Sequence, residues 1–241
     1  METEASRERV GLMRGKLWFI GLFLTGFVIL IYPHVAQYVN SKIQKDEAEQ
    51  FKRQKHTLSN DYISEMLLTA QACNESIYTN EGSFQDPFTE EYEQVRYERC
   101  KEIIKEGDHF AAIEIPKLQL DIPIYLGASE NELSQGIGQV DGSSLPIGGS
   151  STHTVLAGHR GMGVKAMFRN LDRLQESDLF YIHTLEGRLT YRVVDVEVIL
   201  PHETDNLRIR EGEDLASLIT CHPYRSNSHR LVVHGERVIE K

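Results

Sequence analysis

From Leu17 to Ser41 the chain carries no Asp, Glu, Lys or Arg, and from Leu17 to Tyr32 it is almost wholly apolar. A run of this kind reads as a bilayer span. The dense part alone is short for a crossing, and adding Pro33 to Tyr38 brings it to length. Trp18, Tyr32 and Tyr38 suit the two interfacial belts. Arg7, Arg9, Arg14 and Lys16 precede the run, and no Lys or Arg follows until Lys42. The positive-inside bias therefore puts the N-terminus in the cytoplasm and the remainder outside, as a single-pass protein of the cell membrane. A cleaved signal peptide is the competing use. His34-Val35-Ala36 makes a poor cleavage site, which favours a retained anchor.

The chain beyond the anchor is long enough for one domain of moderate size plus attachments, in a total of 241 residues. The net charge of −10 offers no basic stripe to offset phosphate repulsion, so nucleic-acid binding is excluded. Three cysteines are too few for a disulfide-stapled mini-domain, and the odd count leaves one free, paired between chains or chemically employed.

The segments are expected as a cytoplasmic tail (1–16), the anchor (17–38), a charged and solvated helical stalk (39–58), a helical segment interrupted by a loop at 80–89 (59–106), and a β domain (107–241). Ser59 is placed to cap a helix whose apolar face is Ile63, Met66, Leu67 and Ala70. A second helical stretch is expected over Glu90–Glu106. After Gly107 short apolar runs alternate with turn signals. Strands are expected at Ala111–Ile115, Leu120–Tyr125, His153–Ala157, Leu179–His183, Arg188–Leu200, Ala216–Cys221 and Arg230–Val238, with short helices at Glu130–Gln135 and Lys165–Leu171. Strands of this number and spacing suggest a mainly β domain closed, or nearly closed, into a barrel.

Three residues in this β domain could do chemistry. Cys221 ends an apolar run before His222-Pro223-Tyr224, which places its thiol at a barrel rim within reach of substrate. His159 lies between Gly158 and Arg160-Gly161 after another β-like run; flanking glycines allow a sharp turn, and an imidazole can pass a proton both ways. Arg230 opens the last strand, where a fixed positive charge would steady a thiolate and an oxyanion. Each also has a bland use, as a core thiol, a turn imidazole and a rim ion pair. No metal site is expected, because Cys221-His222 and His229 lack paired-ligand spacing, and no cofactor is called for. Serine-hydrolase and P-loop signatures are missing. A papain-like peptidase would carry its histidine after the cysteine, not before it.

Thr220-Cys221, Pro223-Tyr224, Asn227 and His229-Arg230-Leu231 resemble the active-site strand pair of sortases, the cysteine transpeptidases of Gram-positive surfaces. Ile113-Glu114-Ile115-Pro116, Pro123-Ile124-Tyr125, Gly142-Ser143-Ser144-Leu145-Pro146 and Ala157-Gly158-His159-Arg160-Gly161 look like the same family's barrel. Asp86-Pro87-Phe88 resembles the Asp-Pro-aromatic lid of class C sortases, the pilin polymerases.

The resemblance implies a closed eight-stranded barrel, with His159 as proton donor and acceptor, Cys221 as nucleophile and Arg230 stabilising oxyanion and thiolate. It implies that Asp86 pairs with Arg230 and that Phe88 covers Cys221, a lid that an exposed ion pair would hold only weakly. The implied partners are pilins or other surface proteins ending in a Leu-Pro-x-Thr-Gly-like (LPXTG-like) signal. The threonine carbonyl would be joined to a pilin lysine. The alternatives are a sortase that attaches proteins to peptidoglycan and a non-catalytic scaffold at a pilus base. His222 and Arg225 stand where the family usually has a small residue and a glycine. Class C members usually carry a second hydrophobic helix at the C-terminus, and without one before Lys241 a single anchor is expected. Cys73 and Cys100 flank the lid, and are either disulfide-bonded or two buried thiols.

Overall fold

The computed structural model describes residues 2–54, 57–79, 84–89, 92, 100 and 109–239, with side chains from Lys16 onward. Helix α1 (Glu2–Gln54) runs through both the expected anchor and the expected stalk. Leu17 to Val39 presents exposed apolar side chains on all sides, among them Trp18, Phe19, Phe23, Phe27 and Ile29. This is the one described helix long and apolar enough to cross a membrane.

The stalk differs from its expectation. Gln44, Ala48 and Phe51 are buried, a stripe at i, i+4, i+7 hidden among charges. Ala48 and Phe51 join Ala112 and Leu185 in an apolar cluster that Ile63 and Met66 of the next helix complete. Lys52 Nζ lies 2.6 Å from Asp121 Oδ2. The segment therefore docks on the β domain, and only its other faces are solvated.

Helix α2 (Asn60–Thr79) starts where Tyr62 N–H donates to Ser59 Oγ at 3.3 Å. Its buried face continues from Ala70 to Cys73, Asn74 and Ile77. Asn74 Oδ1 accepts the Leu145 N–H at 2.7 Å, and Cys73 is disulfide-bonded to Cys100. The expected helix over Glu90–Glu106 lies, apart from Tyr92 and Cys100, outside the described residues, as do residues 80–83 of the loop.

Eight strands close a barrel: β1 (His109–Ile115), β2 (Leu120–Leu126), β3 (Ile137–Gln139), β4 (Thr152–Ala157), β5 (Leu179–His183), β6 (Arg188–Ile199), β7 (Asp214–His222) and β8 (His229–Arg237). Their order around the barrel is β1-β2-β3-β4-β7-β8-β6-β5. Inward side chains such as Ile113, Ile124, Leu156, Phe180, Tyr191, Leu218 and Val233 fill its core. A short helix α3 (Glu130–Gln135) precedes β3.

One strand is not announced by the sequence, and one expected helix does not form. β3 has only three residues and no alternation to announce it. The helix expected at Lys165–Leu171 is a series of turns, because Met167 adopts φ 41°, outside the α-helical region. A 3-10 turn follows at Leu171–Arg173.

The outer face of β4, β7, β8 and β6 carries a chain of hydrogen bonds. His153 Nδ1 lies 3.0 Å from the Arg208 carbonyl, and its Nε2 lies 2.7 Å from Ser217 Oγ. The carbonyl can only accept, so Nδ1 holds the proton and Ser217 donates to Nε2. Burial, with the charges of His234 and Arg210, pushes the His153 pKa down to about 4, and the Arg208 carbonyl opposes the shift.

The folded state therefore excludes a proton that the unfolded chain binds below about 6.5. Its stability contribution is intact above that pH and is lost as pH falls toward 4, by about 3 kcal/mol. Denaturant unfolding at pH 7.5 and 4.5 should show His153→Gln losing less stability on acidification than the wild type. Parallel pH–stability curves for the two proteins would refute this.

Candidate active site

The register of three strands assembles the site. β4 runs parallel to β7, with Ala157 opposite Ile219. Two residues further, the same register sets His159 beside Cys221. β7 runs antiparallel to β8, with Cys221 opposite Arg230. Histidine, cysteine and arginine thus share one row at the barrel rim, although 62 and 9 positions separate them in sequence.

The backbone carrying His159 is pinned from both sides. Thr220 Oγ1 donates to the Gly158 carbonyl at 2.6 Å, and Phe168 N–H donates to the His159 carbonyl at 3.1 Å. The glycines act differently from their expectation. Neither Gly158 nor Gly161 has left-handed backbone. A Cβ at Gly158 would come 2.6 Å from Ile137 Cδ1 and 2.9 Å from Phe168 Cδ2, so that position needs glycine for close packing. Gly161 makes no such demand.

His159 Nε2 is buried and has no hydrogen-bond partner among the described residues. Glu130 Oε2 stands 3.6 Å away. A nitrogen with no hydrogen-bond partner, on a ring that lines a cleft, can exchange a proton with a group bound against it.

Asp86, Pro87 and Phe88 lie over this row. Asp86 accepts from Arg230 Nε with both oxygens, at 2.8 and 2.9 Å, and forms a further ion pair with Nη2. Arg230 Nη1 donates to the carbonyls of Asn227 and His229, at 3.1 and 2.9 Å. The Phe88 ring centroid lies 5.3 Å from the guanidinium carbon and 6.1 Å from the His159 ring centroid. Asn227 ties this segment to the thiol: its Nδ2 donates to the Phe88 carbonyl at 2.9 Å, and its Oδ1 lies 3.3 Å from Cys221 Sγ.

The Asp86–Arg230 pair is not the exposed bridge expected from the sequence. Their side chains are 4% and 1% exposed, so solvent does not screen the pair, and while this segment stays in place removing either charge strands the other.

Cys221 is the free cysteine and is half-buried. Burial pushes its thiol pKa up, and Asp86 adds to the rise, while Arg230 and Arg160 pull it down without reversing it. With this segment in place the thiol is held protonated at neutral pH, in an unreactive form.

A cleft of about 370 Å³ between Phe88, Glu130, His159, Cys221 and Asn227 reaches the thiol from one side. A second, of about 310 Å³, reaches it from the side of Arg160, Gly161 and Arg225.

Arg160 belongs to the His159 run, and the sequence gives it no role of its own. It is buried, its Nη1 lies 2.7 Å from His222 Nδ1 and its Nη2 lies 3.1 Å from Asp172. This contact fixes the residue after the thiol and accounts for an imidazole at that position. Glu130 and Asn227 are the other neighbours whose contacts only the fold reveals.

Away from this row, Asp195, Glu197 and His234 bring ligand-type atoms within 4.8 Å of one another. There Glu197 is already engaged by His234 Nε2 at 2.9 Å and by Asn206 Nδ2 at 3.1 Å.

The family model of the sortase domain matches residues 113–238. Sortase D of Bacillus subtilis (strain 168) is 27% identical over 135 residues, which are 55% of this chain and 65% of that protein. The match thus spans less than two thirds of that relative's length. Among solved structures, sortase C-1 from Streptococcus pneumoniae is 38% identical with a TM-score of 0.74, covering 81% of this chain and 100% of that one. A pilus-related sortase C of Group B Streptococcus is 35% identical with a TM-score of 0.72, covering 80% and 97%.

Proposed function

The chain belongs to the sortase family, and from that premise we propose that it is a membrane-anchored cysteine transpeptidase of the pilin-polymerising class. One observation carries the reading: His159, Cys221 and Arg230 share one rim row, and an Asp-Pro-Phe segment lies on that row. The α1 span holds the catalytic domain at the outer face of the membrane, where its protein substrates also wait, with the N-terminus in the cytoplasm.

The substrate is a surface protein with an LPXTG-like C-terminal signal. Cys221 gives its proton to His159 and attacks the threonine carbonyl as thiolate. Arg230 holds the developing oxyanion, and the His159 imidazolium protonates the departing glycine amine. A lysine amine of a second pilin then attacks the thioester. His159 takes its proton, the amide forms as the carbon–sulfur bond breaks, and the imidazolium returns the proton to the departing Cys221 sulfur.

Arg230 cannot hold an oxyanion while Asp86 occupies its Nε and Nη2, so the first event is departure of the lid. Asp86→Ala with Phe88→Ala should raise the rate of Cys221 alkylation by iodoacetamide at pH 7 about tenfold or more, through access and through loss of the Asp86 charge. An unchanged rate would remove the covering role.

The reading is tested by mixing the full chain in detergent with surface proteins bearing such signals. A covalent ladder joined through lysine supports it. Exclusive transfer to a cell-wall cross-bridge amine would move the chain to the peptidoglycan-attaching class, and no transfer to either amine would end the transpeptidase reading.

A further inference from the structure

Asn227 touches all three parts of the site: the thiol through Oδ1, the lid through Nδ2, and Arg230 through its carbonyl. The orientation of its amide follows from chemistry. The Phe88 carbonyl can only accept, so the group 2.9 Å from it must be the NH2. That leaves the oxygen facing Cys221 Sγ, 3.3 Å away. A carbonyl oxygen accepts an S–H and repels a thiolate. The lid therefore sets, through this one amide, which form of the thiol is favoured.

When the lid leaves, the Phe88 carbonyl leaves with it, and Nδ2 loses the partner that fixed it. The Asn227 main chain stays, because Arg230 Nη1 still donates to its carbonyl. The terminal torsion of an asparagine is broad and nearly two-fold, so a half-turn exchanges oxygen and NH2 at little cost. The exchange brings an N–H donor to the sulfur.

We infer that Asn227 is a positioning residue with two settings: it accepts the Cys221 S–H while its amide holds the lid, and it donates to the Cys221 thiolate once the lid has gone. The inference rests on the sortase reading, in which the lid departs before reaction. It assigns to one exposed side chain both the quieting of the closed enzyme and part of the activation of the open one. The proton lost by the thiol goes to His159 in the reaction, so the amide changes partner without changing its own protons.

The test is a cycle of four full-length proteins in detergent: wild type, Asn227→Ala, the lid-released pair Asp86→Ala/Phe88→Ala, and that pair with Asn227→Ala. The probe is iodoacetamide, a neutral reagent, used from pH 5 to 10. Cys73 and Cys100 are bonded to each other, so alkylation reads Cys221.

With the lid in place, Asn227→Ala should speed alkylation below the midpoint by roughly 3- to 10-fold and move the midpoint down. With the lid released, the same substitution should slow it by a similar factor and move the midpoint up. A purely structural role would not reverse sign between backgrounds. Shifts in the same direction in both, or in neither, overturn the inference.

Asn227→Asp keeps an acceptor and deletes the donor, so in the released background it should slow alkylation at least as much as alanine; a rate equal to that of the asparagine would also overturn it. Because alkylation needs no sorting signal, this result is separate from the acyl-transfer experiment. Sign reversal without any acyl transfer would sink the transpeptidase reading alone, and acyl transfer without sign reversal would sink the Asn227 inference alone.

Discussion

Cys221→Ala is expected to abolish formation of the covalent ladder, lowering acyl transfer by about 10⁴-fold or more. The size follows from covalent catalysis: without the sulfur no thioester forms, and His159 and Arg230 are left to assist water or an amine directly. The protein should remain folded. Cys221 is half-buried at a rim, so truncation leaves no sealed cavity, and its lost contacts cost about 1 kcal/mol or less. Mass spectrometry of the intact chain with a signal peptide and no amine acceptor should trap a thioacyl adduct on the wild type and none on the variant. A variant that retains more than about one part in a hundred of the ladder would mean that another group is the nucleophile. Cys221→Ser should be almost as inactive, because a serine hydroxyl is a far weaker acid than a thiol and Arg230 cannot make up that difference.

Which of these residues could be found in the sequence depends on how far their partners lie along the chain. Cys221 and Arg230 are legible because each sits where an apolar run meets polar residues, and a nine-residue spacing across one tight connection all but requires an antiparallel pair. His159 is harder. Its place beside Cys221 depends on β4 and β7 being parallel neighbours, with all of β5 and β6 inserted between them in sequence. Nothing local specifies that pairing, and here the family likeness did what periodicity could not.

Burial of the lid pair was invisible for a related reason. Asp86 and Arg230 are both polar residues in turn-rich surroundings, and only the fold shows that each removes the other from water. The docked stripe of α1 was masked by composition, since Gln44, Ala48 and Phe51 are separated by Lys, Asp and Glu. The amide of Asn227 lies beyond sequence reasoning altogether, because its orientation is set by a carbonyl 139 positions away.

Arg230→Ala should reduce acyl transfer by about 10³-fold, in the range seen when a principal oxyanion donor is lost. The loss has two parts that can be separated. The thiolate loses the Arg230 charge that pulls its pKa down, and the tetrahedral oxyanion loses its donor. Raising the pH restores the thiolate but not the donor, so activity of the variant should recover only in part between pH 7 and 10.

Stability makes a second distinction. Removing one partner of a buried pair ordinarily costs about 3–5 kcal/mol, because the other charge is stranded. Asp86 lies on the lid, however, and release of the lid would return its carboxylate to water. Arg230→Ala should therefore lose less stability than that in denaturant, and above its own thiol midpoint it should be alkylated faster than the wild type. Asp86→Ala/Arg230→Ala should match the single arginine variant in activity while adding little further loss of stability.

Arg230→Lys tests the geometry. A lysine supplies the charge but not the planar fork that Nε and Nη2 present to Asp86, so it should hold the lid poorly and recover only a small part of the rate. An Arg230→Ala protein that keeps more than about a tenth of the wild-type rate would remove Arg230 from the chemistry and leave it a lid anchor only. A stability loss at the full buried-pair value, with alkylation no faster than wild type, would instead mean that the lid does not leave when its anchor is gone.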